Sequence, residues 1–206
     1  MLFNILAFIS VLTVILLLNR LTNIFPSLMA CTIRWKESIN LEASVKHSLD
    51  RDMIAAAMLL PFCLCVEKYG LYTPEFLEGL GAGLHLAAFI GIFIIYCILR
   101  VVLSKMLRPK GMNPKTYKTA GRASFTFFII LTLILLASGG ILNFIDTDPT
   151  VVRSAMLCVS IGIYALFLLR KLQIFISGGS FFAAFLYLCA LEIFPTGVLV
   201  ASAIIF

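Results

Sequence analysis

Residues 180–206 read SFFAAFLYLCALEIFPTGVLVASAIIF, and Glu192 is the only charge among them. About 20 apolar residues carry a helix across the hydrocarbon core of a bilayer, so this run reads as a membrane span. A carboxylate in hydrocarbon is costly, about 2.5–3.5 kcal/mol on insertion scales for the comparable Asp at a helix centre. Glu192 is therefore the leading candidate for an intramembrane site.

The rest of the chain has the same character. Of 206 residues, 62% are hydrophobic and 13% charged, against about 45–50% and about 25% in soluble domains. Apolar stretches at 2–25, 53–72, 79–104, 123–145 and 151–170 join 180–206. Together they predict an all-α, polytopic transmembrane helix bundle of six spans, forming one integral-membrane domain over 1–206. An inner loop at 26–52 and a basic inner loop at 105–122 complete it.

The stretch 53–72 is the weakest. Its clean apolar part, residues 53–66, makes about 21 Å of helix, short of a core about 30 Å thick. Lys68 can snorkel, and Tyr69 and Tyr72 suit the interface. A re-entrant segment is the alternative, and charge decides between the two. With six crossings and the N-terminus outside, every Lys and Arg except Lys68 and Arg153 falls on the inner face. If 53–72 does not cross, the basic segments 20–51 and 105–122 face opposite sides, against the positive-inside rule. The expected topology therefore has both termini outside (periplasmic). The outer connections agree: Glu67, Glu75 and Glu78 mark one, Asp146 and Asp148 the other. Asp148 before Pro149 also reads as N-cap and first helical residue. This topology accounts for the net charge of +6 without a nucleic-acid partner.

The first charge, Arg20, follows the apolar run, so the N-terminal segment reads as a span rather than a cleaved signal. Within 26–52, Trp35, Ile39, Val45 and Leu49 fall partly at helical spacing. They allow an amphipathic helix on the inner surface, the alternative being an ordinary polar loop.

Glu192 admits two readings: a proton or cation site, or a neutral carboxyl hydrogen-bonded to a neighbouring helix. Pro195, three residues on, cannot donate to the Leu191 carbonyl. A carboxylate beside a broken turn is similar to the discontinuous-helix sites of transporters. His85 is the second candidate, as a proton relay near the outer side or as a packing residue. Gly79, Gly83, Ala87 and Gly91 recur every four residues. That places small side chains on one helix face and predicts a close helix crossing, within the chain or to a partner. The loop residues Lys105, Arg108, Lys110, Lys115, Lys118 and Arg122 fix topology and meet anionic lipid, or dock an acidic partner. Pro109, Gly111 and Pro114 argue against regular helix there.

The six cysteines include no Cys-x-x-Cys and read as small apolar fillers. Tyr96, Tyr164 and Tyr187 lie inside spans and are expected to bond across helices. No nucleophile elbow, two-His metalloprotease helix or glycine-rich phosphate loop is present. The sequence therefore calls for no catalytic residue, no metal and no cofactor.

The run Leu169-Arg170-Lys171 followed by residues 185–195, FLYLCALEIFP, resembles the C-terminal signature of a domain-of-unknown-function family of multi-pass inner-membrane proteins from Bacteroidetes. Asp50-Arg51-Asp52, Pro61-Phe62-Cys63 and Tyr69-Gly70-Leu71-Tyr72 are similar as well. The resemblance implies a bacterial cytoplasmic membrane and assigns no activity. The leading expectation is a non-enzymatic subunit or assembly factor of a larger membrane complex, with lipid and a membrane protein as partners. Two rival expectations stand beside it: a small proton- or ion-coupled transporter using Glu192 and His85, and a membrane-embedded enzyme acting on a lipid or quinone.

Overall fold

The computed structural model describes residues 2–74, 77, 81–107, 113–145, 148–178 and 181–205. Readings that fall on Glu75, Glu78, Gly79, Arg108, Pro109, Lys110, Gly111, Asp146 and Ser180 lie outside the described residues.

The described chain is helical throughout, with no strand. Its elements are α1 (Leu2–Ile33), α2 (Trp35–Ala43), α3 (Val45–Ala57), α4 (Leu59–Lys68), α5 (Ala82–Met106), α6 (Pro114–Phe144), α7 (Pro149–Ile176), α8 (Phe181–Leu188), a π turn (Cys189–Ile193) and α9 (Phe194–Ile205). Five described stretches are long and apolar enough to cross a membrane: Phe3–Ile33, Gly83–Met106, Pro114–Phe144, Pro149–Ile176 and Phe181–Ala203.

Several boundaries differ from the sequence reading. Helix α1 does not stop near Phe25 but runs through Pro26 to Ile33, as spans do where neighbouring groups satisfy the freed backbone. Its last turn is capped from afar: Arg170 Nε donates to the Thr32 carbonyl at 2.8 Å, a cation on orphan carbonyls. The segment 34–52 takes the helical alternative rather than the loop, as α2 and most of α3. There Leu41, Ser38, Ser48 and Arg51 turn inward, while Ile39, Val45 and Leu49 face out of the bundle. The basic segment 105–122 is also largely helical. Pro114 sits where a helix tolerates it, at the first position, and the Asn113 side chain accepts the Lys115 amide at 3.0 Å. Lys115, Lys118 and Arg122 therefore belong to α6, and Lys105 to α5.

The stretch 53–72 is broken at Met58, between α3 and α4. Pro61 explains the break: it brings no amide for the Ala57 carbonyl and its ring crowds that carbonyl. Helix α4 ends at Lys68 and is closed by Gly70, two residues on, which has φ +57°. The Leu71 amide reaches the Val66 carbonyl at 3.0 Å and the Gly70 amide the Glu67 carbonyl at 3.2 Å, a Schellman closure. The α3–α4 pair runs beside α6 in the same direction. Arg122 donates to Ser48 at 2.7 Å at one end, and Asn143 to Tyr69 at 2.7 Å at the other.

Helix α6 is the axis of the bundle, packed on α7, α3, α4 and α2. One core joins Ile24 and Leu28 of α1 to Leu41, Ile54 and Ile129. A second joins Ala120 and Ala123 of α6 to Phe175 of α7 and Tyr187 and Leu191 of the C-terminal segment. Lipid tails are as apolar as these side chains, so close packing and hydrogen bonds, rather than burial from water, hold such helices together.

At Ala87 and Gly91 the small-residue face of α5 makes no such crossing among the described residues. Ala87 is exposed, and a Cβ on Gly91 would meet nothing within 4 Å. The close approach occurs at Gly139 of α6, where a Cβ would sit 2.6 Å from the Tyr69 hydroxyl and 2.8 Å from Met156 Cε.

Candidate functional site

The site forms where α5, α7 and the C-terminal segment meet. Pro195 lies in the first turn of α9, where its missing amide is tolerated. Just before it the helix widens into the π turn, closed by the Phe194 amide on the Cys189 carbonyl. One-turn π bulges of this kind recur at functional sites. This one carries Glu192, which is 1% exposed.

Two cations converge on one oxygen of that carboxylate. Arg100 of α5 donates to Oε1 from Nη2 at 2.6 Å and from Nε at 3.2 Å. Lys171 of α7, itself buried, donates to the same Oε1. The other oxygen, Oε2, is buried with no hydrogen-bond partner in the described structure. Phe167 lies beneath both cations: its ring centre is 5.6 Å from Arg100 Cζ and 5.5 Å from Lys171 Nζ. Phe175 adds a second face to Lys171 at 5.8 Å, and cations are stabilised over aromatic faces. Tyr164 Oη donates to the Glu192 backbone carbonyl at 2.9 Å, and Tyr96 Oη pairs with Thr196 Oγ1 at 2.9 Å. Counting formal charges, Arg100 and Lys171 against Glu192 leave one positive charge in excess.

His85 is not part of this group. It pairs with Glu67, Nδ1 to Oε2 at 2.7 Å, and lies fifteen residues before Arg100 on the same helix, about 22 Å away along the axis. The structure does not join His85 to Glu192.

Arg100 and Lys171 were read from the sequence as charges at the inner ends of spans. The signal that finds Lys171 is its flanks: Phe167 and Phe175 stand four residues either side, which puts the ammonium on an aromatic face. A second group also escaped notice. Arg51 bonds Glu42 at 2.8 Å and Asp52 at 2.7 Å, and Arg122 reaches Glu42 at 3.3 Å and Asp52 at 3.7 Å. Acids inside a basic segment were its signal. Nearby, Tyr187 donates to Tyr117 at 2.9 Å, and Ser104 and Tyr117 share a hydrogen bond at 2.6 Å. These tie α8, α6 and α5 together.

A cavity of about 430 Å³ opens beside Glu192. Arg100, Tyr96, Tyr164 and Thr196 line it with Phe62, Phe93, Phe128 and Phe167, and Asp52 and Ser124 stand at its edge.

Five long apolar helices, locked by buried ion pairs, define a multi-pass membrane protein with a helical bundle fold. No family model, curated protein or solved structure matches the chain, and the resemblance of residues 169–195 therefore stays an expectation.

Proposed function

We propose that this chain is a non-enzymatic, six-span protein of the bacterial cytoplasmic membrane that serves as a subunit or assembly factor of a larger membrane complex. The observation that carries this reading is the pairing of Glu192: its carboxylate is buried and held by cations from two helices. A relay carboxylate must exchange protons with solvent or a neighbour. This one has a guanidinium and an ammonium as partners and no His beside it among the described residues, which favours a structural lock over proton-coupled transport. The α5 face at Ala87 and Gly91 is left without a close neighbour among the described residues, and a second membrane protein is the partner it suits.

Six crossings are supported by the register of α3–α4 against α6. Ser48 to Tyr69 and Arg122 to Asn143 are equal steps of 21 residues between paired ends, about 31 Å of helix. That matches the hydrocarbon thickness. Both termini then face the periplasm, and the basic groups of α1, α3, α5, α6 and α7 gather at the inner end.

The test is site-specific photo-crosslinking at Gly91 in cells, with tagged protein at native expression. The expected result is one stoichiometric membrane partner, captured from Gly91 but not from Phe144; separately, co-purification of that partner with the probe-free chain is lost in Gly91→Leu with the chain still folded. A homogeneous monomer with no adduct at Gly91 overturns the reading.

A further inference from the structure

The cavity beside Glu192 has a direction. Arg100 to Phe93 on α5, Ser124 to Leu131 on α6 and Glu192 to Leu199 in the C-terminal segment are each steps of seven residues between lining positions, about 10 Å. In every case the first residue is polar and the second apolar. The steps are aligned in space. Arg100 meets Glu192 and Tyr96 meets Thr196 across antiparallel helices, and Phe93 stacks on Phe128 at 5.9 Å beyond them. Asp52 and Phe62 repeat the gradient on α3 and α4. The cavity is thus polar at one end and aromatic at the other, like one lipid of a leaflet. Its volume lies within the range of about 300–1,000 Å³ for small-molecule pockets and suits one chain rather than two.

The polar end specifies a head group. Arg100, Lys171 and Glu192 leave one uncompensated positive charge, whereas Arg51 and Arg122 are balanced by Glu42 and Asp52. Arg100 Nη1 makes no hydrogen bond among the described residues, since Nε and Nη2 serve Glu192. Glu192 Oε2 is an acceptor without a donor, and a buried acceptor left unpaired is costly. A ligand that completes the site carries one negative charge, an acceptor for Arg100 and a donor for Oε2. A carboxylate brings no donor, and an alcohol brings no charge. A phosphate monoester as its monoanion brings both, one P–O⁻ and one P–OH. We propose that this cavity binds a single-chain lipid phosphate monoester, its phosphate between Arg100 and Glu192 Oε2 and its chain along Phe93, Phe128 and Leu131. This goes beyond the subunit reading and does not depend on it.

The experiment uses the purified full chain and a hexadecyl phosphate bearing a photoreactive diazirine in its tail. Adducts are expected on residues 89–97 and 124–131. Unlabelled hexadecyl phosphate should compete about tenfold better than hexadecanoate, hexadecanol or hexadecyltrimethylammonium, the margin of one charge-assisted hydrogen bond. Farnesyl phosphate distinguishes a branched from a straight chain, and competition by either phosphate supports the proposal. Ala56→Phe, which fills the cavity from α3 without touching a charge, should abolish labelling at an unchanged unfolding temperature. Arg100→Lys keeps the charge and removes Nη1, and should weaken competition about tenfold. Adducts outside the cavity, hexadecanoate or hexadecanol competing as well as the phosphate, undiminished labelling of Ala56→Phe, or undiminished competition in Arg100→Lys overturns the proposal.

Discussion

At the scale of single residues, the charge balance around Glu192 predicts an asymmetry. Glu192→Gln leaves the buried Lys171 and the half-buried Arg100 without a counter-charge, and breaking a buried pair from one side costs about 3–5 kcal/mol. Lys171→Met leaves the neutral pair Arg100–Glu192 and fills the Phe167–Phe175 slot with an apolar chain. Thermal unfolding in nanodiscs should therefore drop sharply for Glu192→Gln and by much less for Lys171→Met. Equal losses would sink the charge count. Asp148 is a surface counterpart. The hydroxyl and amide of Thr150 both donate to it, at 2.6 and 2.8 Å, and hold its carboxyl below the usual 3.8. A depressed carboxyl stabilises the fold above its ordinary value and loses that contribution as pH falls through its lowered one. Hydrogen-exchange protection, corrected for the intrinsic rate, should fall in the first turn of α7 below about pH 4, and do so already at neutral pH in Asp148→Ala. Undiminished protection in both cases would show the cap to be idle. Glu192 was legible as a site because one charge in an apolar run stands out. Its partners were not, because a cation near a helix end looks the same whether it snorkels outward or turns in.

At the scale of elements, helices were legible and their joints were not. Apolar length locates a span whatever it packs on. The break at Met58 depends on how one ring, Pro61, meets one carbonyl, while Pro26 passes without a break. The close crossing at Gly139 was not legible for a similar reason. Period-four small residues on α5 describe a surface, but what fills it depends on the partner. On α6 a single glycine sufficed, and Gly139 and its neighbour supply a paired test. Tyr69 is held by Asn143 and Met156 is fully buried, so neither yields to a larger side chain. Gly139→Leu should lower the unfolding temperature by several degrees, about 1–3 kcal/mol of overpacking. Gly140→Leu, which faces open space, should leave it unchanged. A similar loss in both variants would mean that the glycine pair acts through helix flexibility instead.

At the scale of the molecule, the topology can be read directly. A cysteine at Thr73 should react with an impermeant maleimide added to intact cells, and one at Lys115 should react only after the membrane is opened. The reverse pattern would turn the whole bundle over. Sidedness was argued from charge counting alone, and the inner basic groups do more than mark a side. Arg20 meets Asp50 at 3.0 Å, Arg51 and Arg122 bind the acids of α2 and α3, and Arg170 caps α1. The residues that orient the chain also fasten its helices.

The placement of Glu192 in the last helix also has a consequence for how the protein is made. Arg100 and Lys171 leave the ribosome first and enter the bilayer as members of helices that have no acid to meet them. Until residues 181–205 arrive, these two helices carry naked charge, drawn toward the lipid surface and away from their final depth. The helix that carries Glu192 thus acts as a latch on the two that precede it. A nascent chain stopped before that point would present cations in an apolar setting, a mark by which a membrane protease can tell an unfinished copy from a finished one.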